Sequence, residues 1–139
     1  MESSPEDLTL SAAAMALFRR AMKIDLDAAT NRYSRDFGLP QVEAERRMTE
    51  LRRFLVLSAL SPGNAYGMRG PIDDAWHTLI LFTRDYAGFC QMIAGRFIHH
   101  QPDAMPSDRE KSGNAYSLFL REYERAFGEA APADLWPRL

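Results

Sequence analysis

Apolar residues recur every three or four positions along most of the chain, the spacing that stacks side chains on one face of an α-helix. Leu10, Ala14, Leu17, Phe18 and Ala21 form the first stripe, with Thr9 or Ser11 placed to cap it. Leu26, Ala29, Tyr33 and Phe37 repeat the pattern up to Gly38, a residue suited to a left-handed C-cap. These two stripes fit either two helices or one bent helix. Pro40 suits the first turn of the next helix, whose inward stripe is Met48, Leu51, Phe54, Leu55 and Ser58. The charges among them, Glu43, Glu45, Arg46, Arg47, Glu50, Arg52 and Arg53, alternate in sign and read as a mostly solvated face.

SPGNAYGMRGP, from Ser61 to Pro71, is a loop by its glycines and prolines. Beyond it Ile72, Trp76, Leu79, Thr83, Tyr86, Cys90, Ile93 and Phe97 step by three and four residues, with Gly95 as the stop signal. A second loop, HHQPDAMP, runs from His99 to Pro106. Ser107 and Glu110 then have capping-box spacing for a last helix. Its stripe is Tyr116, Phe119, Leu120, Tyr123 and Phe127, closed by Gly128. In the tail, APADLWPRL, Leu135 and Trp136 are expected to tuck against the helices. No segment alternates with period two. The pattern predicts an all-α fold, a single compact bundle of about five helices, with residues 1–8 as a flexible lead-in and residues 9–139 as one domain.

Composition changes this picture little. The chain has 139 residues, 46% hydrophobic and 26% charged, an ordinary balance for a domain that buries its own core. A net charge of −2 gives no general pull towards nucleic acid or an anionic membrane. One cysteine excludes an internal disulfide framework and suits a reducing compartment. The opening MESSPEDL lacks the basic and apolar blocks of a signal peptide, and no apolar run approaches the ~20 residues that span a bilayer. The expectation is a cytoplasmic protein, off the membrane, whose partner is another protein rather than nucleic acid.

Chemistry concentrates between Asp73 and Pro102. That stretch holds all three histidines, the single cysteine and one of the two tryptophans. Asp73 and His77 are four residues apart, so on a helix they share a face, and the carboxylate can set the tautomer and basicity of the imidazole. The competing reading is a dipole-favoured carboxylate at a helix start beside a histidine bonded to a loop carbonyl. Cys90 falls on the apolar stripe and, on a continuous helix, lies ~20 Å along the axis from His77. It reads as core rather than as a ligand. The adjacent His99 and His100 on a straight helix and loop are more remote still, with ~27 Å of axial span against a five-residue return of at most ~17 Å. A break at Thr83, a natural N-cap followed by Asp85, removes that obstacle. Asp73, His77 and either His99 or His100 then become a possible nitrogen-and-oxygen ligand set for a divalent metal such as zinc. No phosphate loop, HExxH, zinc-type cysteine spacing or GxSxG elbow is present. Arg84, Arg96, Arg109 and Lys111 are diluted by Asp85, Asp103, Asp108 and Glu110, so a nucleic-acid patch is not indicated.

The pattern DxxWHxxIxxTxxYxxFC followed by GxFIxHxP, carried by Asp73, Trp76, His77, Ile80, Thr83, Tyr86, Phe89, Cys90, Gly95, Phe97, Ile98, His100 and Pro102, resembles the bacterial glycine-rich domain-containing protein-like family. These proteins are similar to the N-terminal region of plant glycine-rich domain proteins. The likeness extends back to RRFLVLSAL and forward to YERAFG and LWP. It implies no settled activity, but directs attention to Asp73, Trp76, His77, Tyr86 and His100. The chain departs from that family in lacking a glycine-rich tract, with eight glycines in all, and in having Leu79 where many members have a second histidine.

Two functional expectations follow. In the first, the protein is a small cytosolic helical binding domain in which Asp73, Trp76, His77, Tyr86 and His100 form a polar seam or partner surface. In the second, it is a metal-binding protein or metal-dependent enzyme centred on Asp73, His77 and His100.

Overall fold

The computed structural model describes residues 5–63, 65–101, 105 and 107–139. The described part is helical, in the order α1 (Pro5–Met22), α2 (Asp27–Phe37), α3 (Gln41–Leu60), α4 (Ile72–Leu81), α5 (Thr83–Ala94) and α6 (Asp108–Phe127), with no strand among these residues. The all-α expectation holds, with six helices in place of about five. The additional one arises where the 72–94 stripe divides in two. Residues 1–4 of the expected lead-in and residues 102–104 and 106 of the expected second loop, Pro102 and Asp103 included, lie outside the described residues.

Helix α3 is the axis of the molecule and packs against each of the other five helices. Its second half explains this role. Phe54, Leu55, Val56 and Leu57 are consecutive and all buried, so this helix is apolar all round there and needs neighbours on every side. The expected stripe from Met48 to Ser58 is buried throughout. The charged face is not uniformly solvated, however. Glu50 and Arg52 are buried. Arg52 sends Nε to the Ala21 carbonyl at 3.2 Å and Nη2 to the Ile24 carbonyl at 2.9 Å. It thereby ties the Ala21 carbonyl at the end of α1 and the Ile24 carbonyl in the turn beyond it to α3.

Helix ends follow the glycines. Gly38, Gly95 and Gly128 all adopt left-handed conformations as C-caps. Two expected N-caps do not form. α1 already runs from Pro5, and Thr9 bonds back to the Pro5 carbonyl at 2.9 Å instead of capping. Ser107 precedes α6 in a helical conformation with no side-chain cap. Its neighbour Asp108 instead accepts the Met105 N–H at 3.0 Å. The tail behaves as expected, with Leu135 and Trp136 fully buried.

The loop between α3 and α4 is held by close approach. A Cβ on Gly67 would stand 2.0 Å from the Ser112 carbonyl oxygen of α6, and one on Gly70, at φ +93°, would stand 2.5 Å from Pro137 Cδ. Only glycine lets this backbone lie so near α6 and the tail. Arg69 fastens the same loop, with Nη2 donating to the Arg109 carbonyl at 3.1 Å and to Ser112 Oγ at 2.7 Å.

Candidate functional site

The site depends on the junction between α4 and α5. Phe82, at φ −88° and ψ 71°, leaves helical geometry for a single residue, and Thr83 begins α5. The break anticipated at Thr83 is therefore present, but Phe82 takes the cap position and Thr83 makes no side-chain cap. The apolar stripe is reset across it: Leu79 and Tyr86 are buried while Thr83 is exposed. Phe97, beyond the Gly95 stop, is 45% exposed rather than part of the stripe. Cys90 lies in the core as expected, and burial raises the pKa of its thiol.

With the chain turned back at Phe82 and again at Gly95, the segment after α5 returns over α4. His100 Nε2 reaches Asp73 Oδ1 at 2.6 Å, and His77 Nε2 lies 3.6 Å from the same oxygen. One potential ligand atom from each of the three residues falls within 4.8 Å of the others. The structure brings together the three residues named from sequence, two from one helix turn and one from a loop 23 residues beyond His77.

Trp76 and Tyr86 belong to this arrangement as supports. The His100 ring lies on Trp76 with centroids 4.1 Å apart and planes 1° from parallel. Trp76 Nε1 donates to the Tyr86 hydroxyl at 3.0 Å, and that hydroxyl donates in turn to the Ile98 carbonyl. Tyr86 thus fixes both the surface on which His100 stacks and the backbone two residues before it. Burial pushes the Tyr86 pKa up, so the hydroxyl keeps its proton for this bond.

The three titratable residues differ in exposure, and the difference assigns their roles. The His100 side chain is 11% exposed, Asp73 36% and His77 57%. Burial lowers the His100 pKa, a shift that the hydrogen bond and charge of Asp73 oppose without reversing. A neutral His100 is in the form that ligates metals. His77 is the most exposed of the three, and its ring stacks on that of His100 with centroids 4.8 Å apart and planes at 28°.

All three residues line a cleft of about 540 Å³, bounded on the other side by the loop 65–69. This wall was missed in the sequence. Its signal was the glycine pair in GMRG, which marked a loop without revealing what it approached. Arg96 also lines the cleft. Sequence reasoning discounted it for its acidic neighbours, none of which pairs with it among the described residues.

An ion held at the usual ~2.0–2.2 Å from nitrogen and oxygen ligands sets tetrahedral donors about 3.4 Å apart. The Asp73–His77 distance already matches that spacing. His100 and Asp73 stand closer, at 2.6 Å and joined by their hydrogen bond, and would have to part, while the set reaches up to 4.8 Å and its widest pair would have to close, for an ion to sit among them. The donor set, two imidazoles and one carboxylate, suits zinc and also iron(II).

No curated protein and no solved structure matches the chain. The expected kinship with the glycine-rich domain-containing protein-like family does not hold, because the family that matches is the one described as UCP032817-like, over residues 25–126. Several residues of the motif that carried the likeness have structural places here: Tyr86, Phe89 and Cys90 are buried in the core and Gly95 is a helix cap. The match covers α2 to α5, nearly all of α6 and every residue of the Asp73 cluster. The chain belongs to the UCP032817-like family.

Proposed function

We propose that this protein binds one divalent metal ion through Asp73, His77 and His100, and that the ion serves chemistry or ligand binding in the adjoining cleft. The observation that supports this reading most is the convergence of three ligand atoms within 4.8 Å, two from α4 and one from the segment after α5, at the wall of a cleft. The exposure of His77 adds to it. A histidine kept for packing is buried, whereas a ligand facing a cleft leaves a coordination position open to solvent or substrate. Trp76 and Tyr86 act as positioning residues for His100, as partners of ligating histidines commonly do.

A second reading, the polar seam, is favoured by one observation. The hydrogen bond to Asp73 and the stack on Trp76 already satisfy His100 without an ion.

Elemental analysis separates the two. The full chain, purified without a histidine tag and dialysed, is expected to retain close to one equivalent of zinc or iron. His77→Ala and His100→Ala are each expected to lose it. Metal-free wild type that gains no metal from added zinc, iron(II) or cobalt(II) overturns the metal reading and leaves the seam.

A further inference from the structure

The same cleft holds a cation that the metal site does not use. Arg96 donates through Nη2 to the Ser58 carbonyl at 2.9 Å, which fixes the guanidinium on the cleft wall beside α3. It forms no ion pair with any described residue, so its other N–H donors have no charged partner there. Arg69 differs, since its guanidinium staples the loop to the Met68 and Arg109 carbonyls and to Ser112. The same cleft is also lined by the aromatic side chains of Phe54, Tyr66, Trp76 and Phe97. The volume, about 540 Å³, is that of a small-molecule site.

From these features we infer that the cleft takes a small organic anion, its carboxylate or phosphate group held between the metal ion and Arg96 and its apolar body against the aromatic side chains. The inference rests on the metal reading and names the ligand class of that site. Charge supports it. Apart from the imidazoles, the charged side chains lining the cleft are Asp73, Arg69 and Arg96, one negative against two positive. A divalent ion would add two further positive charges, which favours an anion in the cleft. Arg96 is suited to the task because a planar guanidinium meets the two oxygens of a carboxylate or phosphate in parallel. Anion affinity is therefore coupled to metal occupancy.

The test uses the full chain loaded with cobalt(II), whose visible spectrum reports changes in its coordination. Benzoate and phenylphosphonate are titrated in, with benzyl alcohol as the uncharged control. The expected result is a saturable spectral change with at least one of the two anions and none with benzyl alcohol; the tighter anion identifies the carboxylate or the phosphate class. Arg96→Gln is expected to bind cobalt as the wild type does and to weaken the anion by about tenfold or more, the loss of a charge-assisted contact. Cobalt bound with a spectrum indifferent to both anions overturns the inference and leaves the metal reading standing. So does an Arg96→Gln protein that binds the anions as tightly as the wild type. A chain that takes up no cobalt overturns both.

Discussion

Two carboxylates organise polar groups in this molecule, and they do so in opposite ways. Glu50, on α3, is 6% exposed and fully engaged. Its Oε1 accepts from Tyr123 at 2.8 Å and from Trp136 Nε1 at 3.0 Å, and its Oε2 accepts from Arg53 at 3.1 Å. Arg53 in turn lies over the rings of Phe18, Tyr123 and Phe127. This clasp ties α3, α6 and the tail together. Asp73, on α4, is 36% exposed and presents a single oxygen to two imidazoles at 2.6 and 3.6 Å. A buried carboxylate with donors on both oxygens escapes the penalty of an unpaired buried charge. A half-exposed carboxylate facing two imidazoles has capacity left for a ligand. The clasp accounts for how the protein holds together, and the Asp73 cluster for what it can do.

The largest expected effect falls on the clasp. Glu50→Ala strands Tyr123 and Trp136 in the interior, leaves Arg53 with Glu129 at 3.7 Å as its remaining carboxylate, and should cost ~3–5 kcal/mol of stability, measured by urea unfolding, with metal affinity unchanged if the variant folds. A loss below ~1 kcal/mol would mean that the clasp is incidental. Tyr86→Phe comes next and sharpens the contrast, because it touches both properties. Removing the hydroxyl leaves Trp76 Nε1 and the Ile98 carbonyl without that partner, a cost of ~1–3 kcal/mol. It also loosens the support of His100, so metal affinity should fall ~10–100-fold. Unchanged affinity would remove Tyr86 from the site.

Acid should act more gently, and through His100. Its pKa in the folded protein lies below the ordinary value of 6.5 because burial disfavours the imidazolium. The unfolded chain therefore takes up the proton first as pH falls. The stability linked to His100 is complete above the unfolded value and is lost as pH drops below it through the folded value. Unfolding midpoints of metal-free protein should decline across that window, and His100→Gln should flatten that part of the profile. A rise in stability on acidification would reverse the assigned sign. The smallest effect on the fold is expected at His77. With its side chain 57% exposed and its nearest charged contact at 3.6 Å, His77→Ala should change stability by no more than ~0.5 kcal/mol.

The sequence revealed these two centres unequally. Asp73 and His77 share one helix turn, so their proximity is a matter of spacing. His100 required a break that contains neither glycine nor proline. LFTRD permits a helix to end and restart, through the Thr83 and Asp85 pair, without demanding it, and the structure moves the junction one residue to Phe82. The clasp was misread. Glu50 sits in a run of alternating charges that resembles any solvated helix face, and Tyr123 and Trp136, which bury it, are 73 and 86 residues away. Periodicity reports which face of a helix is apolar, and it is silent on a charge that a distant aromatic pair draws inward. The apolar stripe of α3 and the buried Trp136 were legible because burial of large apolar groups needs no specific partner. The capping box at Ser107 failed for the opposite reason, since a cap is a matter of one residue's conformation.

The most direct test of the account is a calorimetric zinc titration of metal-free wild type and His77→Ala, side by side, with thermal unfolding of both. The predicted result is one saturable zinc site per wild-type chain, lost in His77→Ala, at closely similar unfolding temperatures. No zinc binding by the wild type, or the same binding in His77→Ala, would contradict the claim that Asp73, His77 and His100 form a metal site.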